Sequence, residues 1–157
     1  MIEPKIVATI DELKVLAGQE LGVGQWLEIT QERVDAFAEV SGDHQYIHVD
    51  PERAASTPFG GTIAHGFLTL SLLPTLRRDW LGITVDLHPK MSINYGLNRV
   101  RFISPVRVGK RIRLRSRLLK VDDIGPNVYQ LTYEQSIEIE GEDRPAMVAE
   151  TVGRAYL

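Results

Sequence analysis

The run Gly66-Phe-Leu-Thr-Leu-Ser-Leu-Leu-Pro-Thr-Leu-Arg-Arg-Asp-Trp-Leu81 carries apolar residues on almost every side of a helical wheel. A helix that is apolar all round has no face to give to water, so this one is expected at the centre of the fold. Pro74 removes a backbone donor from its interior, which predicts a kink or a break near Leu73. After Gly82 the character changes. Segments at 90–95, 99–103, 110–121, 127–140 and 146–156 are rich in Val, Ile, Tyr and Arg and punctuated by Gly, Pro and Asn, the composition of strands and turns. Tyr129, Leu131, Tyr133, Ile137 and Ile139 alternate with Gln130, Thr132, Glu134, Ser136, Glu138 and Glu140, the pattern of a strand with one wet face. Strands that follow helices, rather than alternating with them, indicate an α+β protein: an antiparallel sheet curled around one long buried helix.

Upstream of that helix, Thr9-Ile-Asp-Glu12 has the capping-box order and opens a short helix that Gly18 closes, a leader expected to be peripheral. Trp26-Leu-Glu-Ile29 reads as a short strand. Thr30 then caps a helix with Val34, Phe37, Ala38 and Val40 on one face, ended by Gly42. Periodicity disappears from Asp43 to Val49, a loop, before Asp50-Pro51 opens a small helix over Glu52 to Ser56. Thr57 to Gly61 is a second loop. At 157 residues, 43% hydrophobic and 25% charged, the chain fits one domain over 1–157 with a helical extension at about 1–20. No segment approaches the roughly 18 apolar residues of a membrane span, and Met1 to Lys14 has no signal-peptide run, so a cytoplasmic protein is expected. The absence of cysteine removes disulfides, thiolate metal sites and cysteine nucleophiles. A net charge of -3 argues against a nucleic-acid partner.

Ser41-Gly-Asp-His-Gln-Tyr-Ile-His48 is the densest cluster of titratable groups, on a loop, where catalytic residues concentrate. Spacing alone leaves three readings open: a catalytic Asp43–His48 pair; a turn cap at Asp43 with His48 bonded to a carbonyl; and a metal site of His44 and His48. The last lacks a nearby third ligand, and no metal is expected. Gly60 to Gly66 delivers free N–H groups to the start of the buried helix, where a developing oxyanion is stabilised; a plain glycine-rich turn gives the same sequence. His65 reads as a structural histidine. Between Arg99 and Lys120 stand nine of the 18 basic residues and no acid, with Arg111, Arg113, Arg115 and Arg117 on one strand face. That face is either simply solvated or a docking surface for a phosphate-bearing carrier.

These segments, in this order, resemble the MaoC-like dehydratase family, which includes the R-specific enoyl-CoA hydratases. The resemblance runs from about Gly22 to Tyr156 and rests on Gly42-Asp43 through His48, on Ala64-His65-Gly66, and on Phe102-Ile-Ser-Pro-Val-Arg-Val-Gly109. It implies a hot-dog fold and a reversible addition of water to a trans-2-enoyl-CoA, or to the acyl carrier protein-linked equivalent, giving the (R)-3-hydroxyacyl product. It places catalysis on Asp43 and His48 and thioester-oxygen binding on the Gly66 N–H. It implies no cofactor and no membrane partner, and a homodimer whose sheets join. The chain departs from the family twice. Gln45-Tyr46 replace the common Asn-Pro, leaving Gln45 to take the orienting role, and a serine that some members carry along the helix is Pro74 here. An acyl-CoA thioesterase and a noncatalytic acyl-thioester binding protein stand as alternatives.

Overall fold

The computed structural model describes residues 5–78 and 81–157. Trp80 and the first four residues, which figured in the central helix and the leader respectively, lie outside the described residues. In chain order the elements are β1 (Ile6–Val7), α1 (Ile10–Val15), β2 (Glu20–Val23), β3 (Leu27–Glu28), α2 (Gln31–Ser41), α3 (Tyr46–Val49), α4 (Pro51–Ala55), α5 (Gly66–Ser71), α6 (Leu73–Leu76), β4 (Leu81–Gly82), β5 (Thr84–Val85), β6 (Met91–Phe102), β7 (Arg111–Gly125), β8 (Val128–Ile139) and β9 (Met147–Tyr156).

Strands β4, β2, β7, β8, β9 and β6 bond in that order into an antiparallel sheet, with β3 also on β7. The β7–β8 hairpin turns through Pro126 and Asn127, the latter at φ +54°, which asparagine tolerates. The two segments expected around 90–103 are one strand, β6; bulges near Gly96 and Asn98 absorb the irregular sequence and keep it paired to β9 throughout.

The central helix lies across this sheet. Leu68, Leu72 and Leu76 pack with Ile112, Leu114, Ile137, Ile139, Met147 and Ala149 in one buried cluster. Helix α5 stops at Leu72, and Pro74 sits in the first turn of α6, so the expected break is present one residue earlier. The helix is shorter than its apolar run. Leu81 belongs to a strand, and Phe67 and Leu81 are exposed, not buried as all-round hydrophobicity suggested. Val40 is likewise exposed, while Val34 and Ala38 of the same helix are buried. These features make the α+β hot-dog fold.

The leader is not peripheral. Thr9 and Glu12 form the capping box, with the Thr9 hydroxyl accepting from the Glu12 N–H at 3.3 Å and Glu12 Oε2 accepting from the Thr9 N–H at 3.1 Å. The helix so fixed turns Leu13 and Leu16 onto the sheet, where they join Val7, Leu21, Leu118, Leu131, Tyr133 and Ala155 in a second core cluster. Strand β1 pairs in parallel with β5, Ile6 opposite Thr84, and ties the leader to the segment after the central helix.

The arginine face is a ladder of cross-strand ion pairs. Arg111 meets Glu140, Arg113 meets Glu138 at 2.6 Å, and Arg115 meets both Glu138 at 2.8 Å and Glu20 at 2.7 Å. Arg117 lies 3.8 Å from Glu134. Burial opposes ionisation of Glu138, but the bonds from Arg115 and then Arg113 outweigh it and hold its carboxyl below the usual carboxylate value. Glu134 and Glu138 of β8, Glu140 just beyond it and Glu20 of β2 therefore neutralise the arginines of β7, and the phosphate-docking alternative loses its free charge.

Candidate active site

Helix α2 begins at Thr30, whose hydroxyl accepts from the Arg33 N–H, and ends at Gly42, which takes the left-handed conformation at φ +76°. That reversal throws the chain outward at Asp43. The Ser41 hydroxyl accepts from the Asp43 N–H at 3.3 Å, and Asp43 Oδ1 accepts from the Gln45 N–H at 3.3 Å, so the carboxylate closes its own turn. The expected loop then differs from the structure: residues 46–49 are the single helical turn α3. It forms because Gln45 and Tyr46 carbonyls accept from the His48 and Asp50 N–H groups. This turn points His48 inward, leaving it 7% exposed, whereas Asp43 stays exposed.

Two straps hold His48. Its Nδ1 donates to the Ile63 carbonyl at 2.6 Å, and the Ile63 N–H donates back to the Ile47 carbonyl at 3.0 Å. From α2, Gln31 Nε2 donates to the His48 carbonyl at 2.7 Å, and Gln31 Oε1 accepts from the Thr62 hydroxyl at 2.6 Å. Thr62 and Ala64 are in turn held by Val108 and Val106, within the Phe102 to Gly109 segment singled out in the sequence. A carbonyl only accepts, so Nδ1 carries the ring proton and the neutral ring presents the Nε2 lone pair. Burial is the main cause that holds His48 below its ordinary pKa of 6.5. The Ile63 bond opposes that shift, His65 adds to it, and Asp43 works against it.

His65 is part of this arrangement. It is buried, its ring stacks on that of His48 with centroids 3.8 Å apart, and Phe37 closes its other side at 5.0 Å. Its Nε2 donates to the Asp43 carbonyl at 2.9 Å, tying the acidic turn to the start of α5, while its buried Nδ1 has no partner among the described residues. Asp43, His48 and His65 each bring one polar atom to within 4.8 Å of the others. The two imidazoles are stacked with their planes 24° apart, His48 keeping its lone pair on Nε2 and His65 on Nδ1. His44 stands apart, exposed and 3.7 Å from Glu39.

Gly66 opens α5, with His65 as its cap. A side chain here meets a wall: a Cβ built on Gly66 lies 2.9 Å from the Phe102 ring, so only glycine lets the helix start approach that ring. Gln45 contributes backbone groups to the turn, and its side chain caps nothing in α3. Sequence reasoning missed Gln31 and Thr62 and left His65 as structural. The local sequence shows only the bond from Gln31 to Asp35 one helical turn on; the two groups it clamps at the site lie 17 and 31 residues away.

Three comparisons bear on this geometry. The family model described as MaoC like domain matches residues 13–138. The 3-hydroxyacyl-thioester dehydratase Z of Mycobacterium tuberculosis is 49% identical over 146 residues, covering 93% of this chain and 95% of the relative. Nodulation protein N of Rhizobium leguminosarum bv. viciae is 50% identical over 133 residues, covering 84% and 81%. Among solved structures, the (R)-hydratase from A. caviae involved in PHA biosynthesis superposes with a TM-score of 0.64 at 30% identity, over 85% of this chain and 96% of that one.

Proposed function

Because the chain belongs to the MaoC-like dehydratase family, we propose that it is an R-specific enoyl-CoA hydratase, a hydro-lyase that adds water reversibly to a trans-2-enoyl thioester. The observation that carries this reading is the buried His48, held neutral with its Nδ1 on the Ile63 carbonyl, beside the Asp43 carboxylate. The R configuration draws support from the (R)-hydratase at 30% identity.

Water is a poor nucleophile, so the reaction needs a base for it and a place for the charge it displaces. Nε2 of His48 takes one proton from a water that the Asp43 carboxylate holds. The oxygen bonds to C3 of the enoyl thioester, and the electron pair moves through C2 to the thioester oxygen. There the Gly66 N–H donates to it; loss of such a donor costs roughly 3 kcal/mol. C2 then receives a proton from the Asp43–His48 pair. No metal or redox cofactor enters this balance. The substrate is acyl-CoA or its acyl carrier protein equivalent, handled in the cytoplasm. No helix among the described residues is long and apolar enough to cross a membrane. The subunits pair as a homodimer through the exposed β6 edge, where Ile93, Tyr95 and Leu97 present apolar side chains.

The test follows the conjugated enoyl absorbance of crotonyl-CoA together with a free-thiol assay, for the parent and His48→Gln. Loss of absorbance without thiol, abolished by the substitution, is the expected result. Thiol release by the parent identifies a thioesterase, and binding without turnover identifies an acyl-thioester binding protein.

A further inference from the structure

A cavity of about 630 Å³ opens farther along the central helix, between Leu70, Ser71 and Pro74 on one side and β6, β8 and β9 on the other. Leu70 to Pro74 lie four to eight residues beyond Gly66, roughly 6–12 Å along the helix at about 1.5 Å per residue. A thioester anchored at Gly66 therefore brings the middle and end of a medium-length acyl chain to this cavity.

Its lining breaks the pattern of the core. Along β8 the inward positions are Leu131, Tyr133, Ile137 and Ile139, but the one between Tyr133 and Ile137 is Gln135. Directly opposite on β7, where Ile112, Leu114 and Leu118 face inward, stands Ser116. Two polar residues thus face each other among the inward-facing apolar residues of β7 and β8. Ser116 is committed, because its hydroxyl accepts from Arg77 Nη2 at 3.2 Å. Gln135 is only 4% exposed and is loosely held: Nε2 lies 3.4 Å from the Thr151 hydroxyl, and Oε1 has no partner among the described residues. Exchanging the amide oxygen and nitrogen leaves the other atom unpaired, so neither assignment satisfies the group. Gln135 and Thr151 both line the cavity. The terminal torsion of glutamine is soft, so the amide turns toward a ligand without moving the backbone. Burying an unsatisfied amide is costly, and an apolar residue of the same size serves a plain acyl chain better.

We propose that this cavity receives the distal part of the acyl chain and selects enoyl thioesters that carry a hydroxyl group there, with Gln135 and Thr151 as its partners. A hydroxyl both donates and accepts, so it completes the amide in either orientation. The proposal rests on the hydratase reading and names the substrate class for the same site.

The experiment measures kcat/KM for crotonyl-CoA and for two matched pairs, trans-2-octenoyl-CoA and trans-2-decenoyl-CoA, each against its ω-hydroxy analogue. The parent favours the hydroxylated member of at least one pair by about tenfold, the worth of one hydrogen bond. Gln135→Leu brings that ratio to one or below, and Thr151→Val lowers it. The ratio is internal to each protein, and the parent alone decides should a variant fail to fold. Hydration of crotonyl-CoA with no preference in either pair overturns the hydroxyl subsite and leaves the hydratase standing. A parent that hydrates none of the five overturns the hydratase reading, and the subsite with it.

Discussion

The imidazole of His48 gives its Nδ1 proton to the carbonyl of Ile63 across 2.6 Å, and this single bond leaves Nε2 as the ring nitrogen that keeps the lone pair. Burial keeps the ring neutral below the ordinary histidine pKa of 6.5. The kcat/KM of hydration is therefore expected to be flat through neutral pH and to fall only on an acid limb below 6.5. Stability follows the same sign. Below 6.5 the unfolded chain binds a proton at this histidine that the folded one does not, so the histidine's contribution falls with pH until the folded pKa is passed. A pH-rate profile with its acid limb at or above 6.5 contradicts the assignment of His48 as the neutral base.

Gly66 and Phe102 are matched in space. A methyl group at Gly66 overlaps the ring at 2.9 Å, so Gly66→Ala is expected to cost about 1–3 kcal/mol, measured by urea denaturation. It also displaces the N–H assigned to the thioester oxygen and lowers kcat. Phe102→Ala in the same chain makes room, and the double variant is expected to recover a good part of the stability. Strict additivity of the two losses speaks against the contact as the cause.

The sequence foresaw elements whose signal is local and missed relationships that only the fold creates. Thr9, Thr30, Gly42 and Pro74 act on their own backbone, and each marks a boundary in the structure close to where it was expected. The single turn at Tyr46–Val49 is too short for periodicity to register, yet it turns His48 inward. Leu13 and Leu16 repeat at helical spacing, but six helical residues do not reveal that the sheet waits beneath them. For the site, Asp43, His48 and Gly66 were legible as motif residues. The stacking of His65 on His48 and the Gln31 clamp needed three dimensions, because their partners come from distant parts of the chain.

The ion-pair ladder has a measurable consequence for substrate binding. Arg113 is spent on Glu138, so Arg113→Gln is expected to change KM for crotonyl-CoA by less than about twofold and stability by about 1 kcal/mol or less. A carrier docked on this face predicts instead a large rise in KM that deepens with added salt. Titrating the parent and the variant across ionic strength separates the two.

The leader helix carries stability out of proportion to its length. Leu13 is fully buried among residues from β2, β7, β8 and β9, so Leu13→Ala is expected to cost about 2–5 kcal/mol in chemical denaturation. A peripheral leader predicts a change near zero. Neither Asp43 nor His48 belongs to the cluster around Leu13, so the folded fraction of this variant is expected to keep its kcat.

Strand β6 ends the sheet with its far edge unpaired among the described residues, and it is long. Such an edge in a monomer is usually shortened or guarded by lysine. Here Ile93, Tyr95 and Leu97 are all exposed along its length, an apolar row that water does not favour. Pairing two copies edge to edge hides both rows and satisfies both sets of backbone groups. Light scattering is therefore expected to give twice the chain mass for the parent at micromolar concentration, and the single mass for Ile93→Lys. Asn94 to Leu97 also wall the cavity along the central helix, so the separated subunits are expected to lose turnover of medium-chain substrates more than that of crotonyl-CoA. A parent that runs as a monomer, or a monomeric variant with an unchanged chain-length profile, rules out the edge as part of the site.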